Sequence, residues 1–265
     1  MVPDGAMSGR TWVQPGEFRD VAMINVVGHE LLYWHSGEPD KKAFKFSHSH
    51  RQAFGDGTAE ILGKLKVAVI GCSGTGSPLI EQLARLGVGE LILVDDDIVE
   101  FHNLNRIFNT TLEDAEHGLP KVEVLKRAID GFGLGVNVEA VNANLWSPEV
   151  INLVADADLV VGCMDTIDGR YLLNLLATCY LIPYIDIGVR LDAEKDKFGV
   201  GKIREVCGTI HYLLPGKSSL ISRGLVSMDA VAAAGLKRYD PVAYEQQQSE
   251  GYIRGVSVSR PAVIS

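Results

Sequence analysis

The stretch KVAVIGCSGTGSPLIEQLARLGVGELILVD, residues 66–95, decides the fold. Its opening, KVAVIG (66–71), is short, apolar and rich in β-branched residues, as a strand buried on both faces is. A glycine-rich turn follows, Gly71-Cys72-Ser73-Gly74-Thr75-Gly76. Ser77-Pro78 then predicts a helix start, with Ser77 as N-cap and Pro78 in the first turn. Leu79, Leu83 and Leu86 recur at helical spacing, Gly87 closes the helix, and ELILVD (90–95) is the next strand. A strand, a glycine turn and a helix start together make an anion site, because backbone N–H groups and the helix dipole both point at negative charge.

The alternation continues downstream. Lys121 to Phe132 reads as a helix, Asn137 to Val141 as a strand, and Pro148 to Val154 as a short helix. Asp158 to Cys163 reads as a strand, Asp168 to Tyr180 as a helix, and Ile182 to Val189 as a strand. This pattern predicts an α/β fold with a Rossmann-like, doubly wound, mostly parallel sheet. Two further strands, Val200 to Val206 and Gly208 to Leu214, are expected to pair about Cys207-Gly208 as an antiparallel extension at the C-terminal side. A loop-rich segment follows to Ser265, ending on the apolar PAVIS (261–265), where a further helix is natural, so the chain reads as a fragment. Residues 1–45 look different: two short apolar runs, Val21 to Val27 and Glu30 to Trp34, can pair as a hairpin. They form an N-terminal appendage or the remnant of an upstream module, with 46–265 as the main domain.

A chain of 265 residues with 46% hydrophobic content suits one large domain that needs no staple. A net charge of −9 argues against nucleic acid as the main partner. Trp12, Trp34 and Trp146 form no stacking array for bases. The longest apolar segment, Leu172 to Ile182, is far short of the ~20 residues of a membrane span, which argues against a membrane partner. Cys72, Cys163, Cys179 and Cys207 contain no CxxC pair, which fits free thiols and a cytoplasmic protein. Cys163 and Cys179 read as core and Cys207 as structural. His48 and His50, placed on one face of a strand, lack a third ligand and read as surface residues.

The glycine turn alone is weak evidence for a nucleotide, since Ser73 stands where a second glycine is expected to let the phosphate approach. Asp95 ends the second strand 24 residues beyond Gly71, where an acid reaches a ribose hydroxyl in both NAD and ATP versions of the fold. Gly216-Lys217-Ser218 mimics a P-loop, but His211 occupies the place of its first glycine and no helix is evident after it. The segment VDDDIVEFHNLNR (94–106) discriminates better, because it is too polar for core and brings Asp97, Asn103 and Arg106 toward the turn. Gly118-Leu119-Pro120-Lys121 then puts a lysine in a helix's first turn, against the dipole, which makes sense if the lysine serves a ligand. Cys163-Met164-Asp165 ends the fourth strand of the alternating region, ahead of Thr166, Asp168 and Arg170. Taken singly, each residue reads as surface charge, cap or ion pair. Taken together, Asp95 can hold ribose, Asp165 a magnesium ion, and Asn103, Arg106 and Lys121 the phosphates.

The order GCSGTGS, VDDDIVEFHNLNR, GLPK and CMDTIDGRYLLN resembles the superfamily of ThiF, MoeB, HesA and the ubiquitin-activating enzymes, over residues 51–264. His50-Arg51-Gln52 resembles the family's arginine motif. The resemblance implies an adenylyltransferase that binds ATP and Mg2+ and activates the C-terminal carboxylate of a ubiquitin-like protein or peptide as an acyl-adenylate. It implies nucleotide contacts by Gly71, Ser73, Gly74, Gly76, Asp95, Asp97, Asn103, Arg106 and Lys121, and catalytic roles for Arg51, Arg106, Lys121 and Asp165, the last as the Mg2+ ligand. It also implies a homodimer in which Arg51 reaches the partner's site.

Two departures from the family stand out. Pro215 to Ser222 carries serines where many members place a zinc-binding CxxC, which predicts no zinc. No cysteine follows Cys207, which favours adenylation without a thioester step. Other readings remain: activation of a small molecule or a tRNA base, a non-catalytic partner subunit, or a NAD-dependent oxidoreductase.

Overall fold

The computed structural model describes residues 9–21, 23–27, 31–35, 48–195 and 201–249. Ahead of the main domain lie two antiparallel pairs: β1 (Arg10–Gln14) with β2 (Glu17–Asp20), and β3 (Met23–Val27) with β4 (Leu31–His35). The second pair is the expected hairpin. It is tied to the domain: Asn25 Nδ2 donates to Asp158 Oδ1 at 3.1 Å and the Tyr33 hydroxyl to the Asp158 carbonyl at 3.2 Å. Two short helices, α1 (His48–Phe54) and α2 (Asp56–Leu62), lead into the sheet, so His48 and His50 belong to a helix, not to a strand.

The sheet strands are β5 (Lys66–Ile70), β6 (Glu90–Val94), β7 (Asn137–Val141), β8 (Leu159–Gly162), β9 (Tyr184–Lys195) and β10 (Gly201–Leu213), in the spatial order β10-β9-β8-β5-β6-β7. All neighbours are parallel except β10, which runs against β9 at the edge. The helices between them are α3 (Gly76–Leu86), α4 (Leu112–His117), α5 (Lys121–Phe132), α6 (Pro148–Ala155) and α7 (Ile167–Cys179). After the sheet come α8 (Met228–Tyr239) and α9 (Pro241–Ser249).

Successive residues of a strand face opposite layers. Val67 and Val69 of β5 join Leu91 and Leu93 of β6 against Ile80 and Ala84 of α3 and Leu125 and Ile129 of α5. Ala68, Ile70, Ile92 and Val94 pack on the other side with Val150 and Val154 of α6 and Leu172, Leu173 and Leu176 of α7. The chain therefore winds from β5 through β6 to β7 on one side, then returns to β8 on the other. The order reverses between β5 and β8, and the carboxyl ends there form the crevice where doubly wound sheets take ligands.

Four local readings are corrected. The helix after the glycine turn starts at Gly76 with Thr75 at the N-cap, so Ser77 lies inside the first turn. The antiparallel extension is not a hairpin about Cys207-Gly208: β9 and β10 pair from Tyr184↔Leu213 to Lys195↔Gly201, and Cys207 lies mid-strand opposite Arg190. The segment read as loop contains α8 and α9. Cys179 is exposed at the end of α7, whereas Cys72 is buried and Cys163 and Cys207 are partly covered. The expected helix near PAVIS lies outside the described residues.

Candidate functional site

The turn after β5 leaves no room for a side chain at Gly71 or Gly76. Gly71 has a φ of +92°, and a Cβ there would lie 2.9 Å from the Cys163 carbonyl oxygen at the end of β8. A Cβ on Gly76 would lie 1.9 Å from the Gly71 oxygen. Glycine at both places lets the first turn of α3 close onto the strand end. The Gly71 N–H bonds the Val94 carbonyl at 2.9 Å, joining the turn to β6. Ser73 is half-buried, and its carbonyl accepts the Ser77 N–H at 2.8 Å.

Asp95 closes β6 beside this turn. Its Oδ2 accepts the Cys72 N–H at 2.7 Å and its Oδ1 the Asp97 N–H at 3.0 Å. Burial pushes its carboxyl above the usual carboxylate range, and the nearby Lys121 ammonium and those two N–H groups only partly offset the cost. Lys121 is the first residue of α5 and its side chain is 5% exposed. Its Nζ donates to Asp97 Oδ2 at 2.6 Å and lies 3.8 Å from Asp95 Oδ1. A cation at a helix N-terminus is disfavoured by the dipole, and the hydrogen-bonded Asp97 carboxylate, with Asp95 farther off, offsets that cost.

Arg106 reaches the same turn from the crossover after β6. Its stem lies over Gly74, where a Cβ would meet Arg106 Cδ at 3.3 Å. Its guanidinium donates to the His102 carbonyl at 2.6 Å. Asn103 is buried and braces this crossover: its Oδ1 accepts the Glu100 N–H at 3.0 Å, and its carbonyl accepts the Arg106 and Ile107 N–H groups.

Ser77 was missed as a site residue because serine before Pro78 reads as a cap. Its fully buried hydroxyl accepts the Phe108 N–H at 3.0 Å, fastening the arginine-bearing crossover to the first turn of α3.

Asp165 is exposed in the loop after β8, two residues beyond the Cys163 carbonyl that abuts Gly71. The two charged residues that follow it are held in ion pairs. Asp168 pairs with Arg238 of α8 at 2.9 Å, and Arg170 grips the buried Asp186, its Nε donating at 2.8 Å. Arg51 is an exposed residue of α1. Burial pushes the Cys163 thiol up to about 12 and Cys72 also well up, so neither is a nucleophile at neutral pH. At the serine pair, Ser219 Oγ accepts the Ser222 N–H at 3.1 Å and Ser222 Oγ the Ser219 N–H at 2.8 Å, closing the turn by hydrogen bonds. Gly216-Lys217-Ser218 forms a turn with Lys217 exposed, and no helix follows until α8. Among the described residues, no helix is long and apolar enough to cross a membrane.

Asp95, Lys121 and Arg106 thus meet at the glycine turn, one buried carboxylate and two bases beside its backbone. Comparison with known proteins gives this arrangement its context. The ThiF family model matches residues 47–196. The SAMP-activating enzyme E1 of Haloferax volcanii is 40% identical over 120 residues, 45% of this chain and 44% of the relative. Ubiquitin-like modifier-activating enzyme 5 of Bombyx mori is 29% identical over 205 residues, 72% of this chain and 48% of the relative. The chain spans about half the length of these curated relatives. Among solved structures, E. coli MccB with AMPCPP and MccA superposes with a TM-score of 0.57 at 20% identity, over 82% of this chain and 58% of that one.

Proposed function

We infer the function of this chain from one premise: it belongs to the ThiF family. It activates the C-terminal carboxylate of a ubiquitin-like protein or peptide with ATP, forming an acyl-adenylate and releasing pyrophosphate. The names of its relatives, which are activating enzymes of modifier proteins, and of MccB, solved with a nucleotide analogue and MccA, support this reading. The observation that carries it is the gathering of Asp95, Lys121 and Arg106 at the Gly71–Gly76 turn.

The physical obstacle in this reaction is repulsion between an attacking carboxylate and a polyphosphate. Backbone N–H groups of the turn and the start of α3 bind phosphate. Asp95 holds the ribose. Lys121 and Arg106 balance the charge that grows on the departing pyrophosphate. Asn103 and Ser77 keep the crossover in the shape that presents Arg106. Arg51 completes the set from the partner in a homodimer. Asp165, an exposed carboxylate at the point where the strand order reverses, has the donor chemistry for Mg2+, which takes one or two carboxylates and completes its shell with phosphate and water oxygens. When bound, Mg2+ neutralises phosphate charge. The adenylation domain comprises residues 46–265, and residues 1–45 are its appendage.

ATP–pyrophosphate exchange, screened with ubiquitin-like proteins and peptides ending in glycine, tests the reading. Asp165→Ala is expected to lower exchange by roughly 10²–10³-fold with the thermal unfolding midpoint unchanged. Exchange at the wild-type rate in that variant removes Asp165 from the reaction.

A further inference from the structure

We propose that Asp97 is a positioning residue that acts through Lys121 and does not itself bind the nucleotide, an inference that rests on the adenylation reading above. Lysine carries its charge on a flexible four-carbon stem, so its place must be imposed from outside. At Lys121 the helix dipole of α5 pushes the ammonium away and burial strips it of water. Asp95 is a poor anchor for it. The nearest Asp95 oxygen is 3.8 Å away, beyond hydrogen-bond reach, and both Asp95 oxygens already accept N–H groups.

Asp97 meets the need from three sides. Its Oδ2 accepts the Lys121 ammonium at 2.6 Å, its carbonyl accepts the Lys121 N–H at 3.1 Å, and its own N–H fixes Asp95 Oδ1. The neighbouring bond from the Val99 N–H to the Leu119 carbonyl at 2.8 Å and the Ile98↔Pro120 bridge zip the two segments together antiparallel. The backbone thus sets where Asp97 is, and its carboxylate sets where the Lys121 charge is. The side chain of Asp97 is 69% exposed on its far side, so little of the fold depends on it.

Loss of the carboxylate leaves the ammonium without the acceptor that fixes it and so misplaces the charge at the moment of pyrophosphate departure. In the full chain, Asp97→Asn is expected to reduce the kcat of ATP–pyrophosphate exchange about 10- to 100-fold, with the KM for ATP within about threefold of wild type. Asp97→Glu recovers most of the rate. In a Lys121→Ala background, Asp97→Asn adds no further loss, because the residue it acts through is gone. Acetylation of Lys121 by acetic anhydride, followed by mass spectrometry on the nucleotide-free protein, is expected to speed up several-fold in Asp97→Asn with the unfolding midpoint unchanged. Equal acetylation rates in wild type and Asp97→Asn, or additive losses in the double variant, overturn the proposal. A wild type that exchanges no pyrophosphate counts against the adenylation reading instead, and the acetylation rates still decide whether Asp97 holds Lys121.

Discussion

Two aspartates lean on α5, and they are built for different ends. Asp114, in α4, accepts the Thr111 N–H and takes a two-pronged grip from Arg127, both nitrogens at 2.8 Å. That grip holds its carboxyl below the usual carboxylate range. Asp95 also accepts two N–H groups, but its base stands 3.8 Å off and is claimed by Asp97, and burial holds its carboxyl above that range. One carboxylate is more comfortable folded than unfolded. The other is made costlier to ionise by its burial, beside the Gly71–Gly76 turn. Buried carboxylates with raised values recur at working sites, which makes Asp95 the residue to test.

Exchanging each acid for its amide separates the two roles. The largest effect is expected from Asp95→Asn on nucleotide binding. The amide oxygen still accepts one of the two N–H groups, so the fold survives, while ATP affinity measured by calorimetric titration falls about tenfold, or ~1.4 kcal/mol. Unchanged affinity would make Asp95 a second Asp114. Next comes Asp114→Asn, which is expected to cost about 1 kcal/mol of stability in urea unfolding, since Arg127 is half in water. Its ATP affinity should equal that of wild type, and a loss of binding there would erase the contrast.

The smallest effect is one of slope. The folded-state value of Asp114 is depressed, so its stabilisation is present above the ordinary value of 3.8 and disappears as pH falls through the folded value beneath it. The folded-state value of Asp95 is raised, so its contribution is full below 3.8 and is lost as pH rises through the folded value above it. Between about pH 3 and 6, the stability gap between wild type and Asp114→Asn should therefore widen with pH, and the gap for Asp95→Asn should move the opposite way. Slopes of the same sign would refute the difference in environment.

Much of this was legible in the sequence because it depends on local pattern. Helix α5 and strand β7 begin and end where periodicity puts them, and the strand-end acids announced themselves by polarity at the close of apolar runs. The errors have local causes too. The helix starts one residue before Ser77, with Thr75 making no side-chain cap bond, because Gly76 packs against the Gly71 carbonyl where any other residue collides. Cys207-Gly208 looked like a turn, yet Gly208 sits mid-strand opposite Val189 because twelve pairings outweigh one weak residue. Helix α8 carries its own signal in the sequence, Ser227, whose hydroxyl accepts the Ala230 N–H at 3.2 Å, ahead of an alanine run. The grip of Asp97 on Lys121 was not legible, because it requires residues 97–99 to lie beside 119–121, a fact of tertiary pairing that no spacing reveals.

The bond from the Phe108 N–H to the Ser77 hydroxyl has a wider consequence. It ties the segment that carries Arg106 to the first turn of α3, and the Arg106 stem over Gly74 is a second point of contact between the same two pieces. A substitution on the outer surface of that segment is therefore felt at the glycine turn through both.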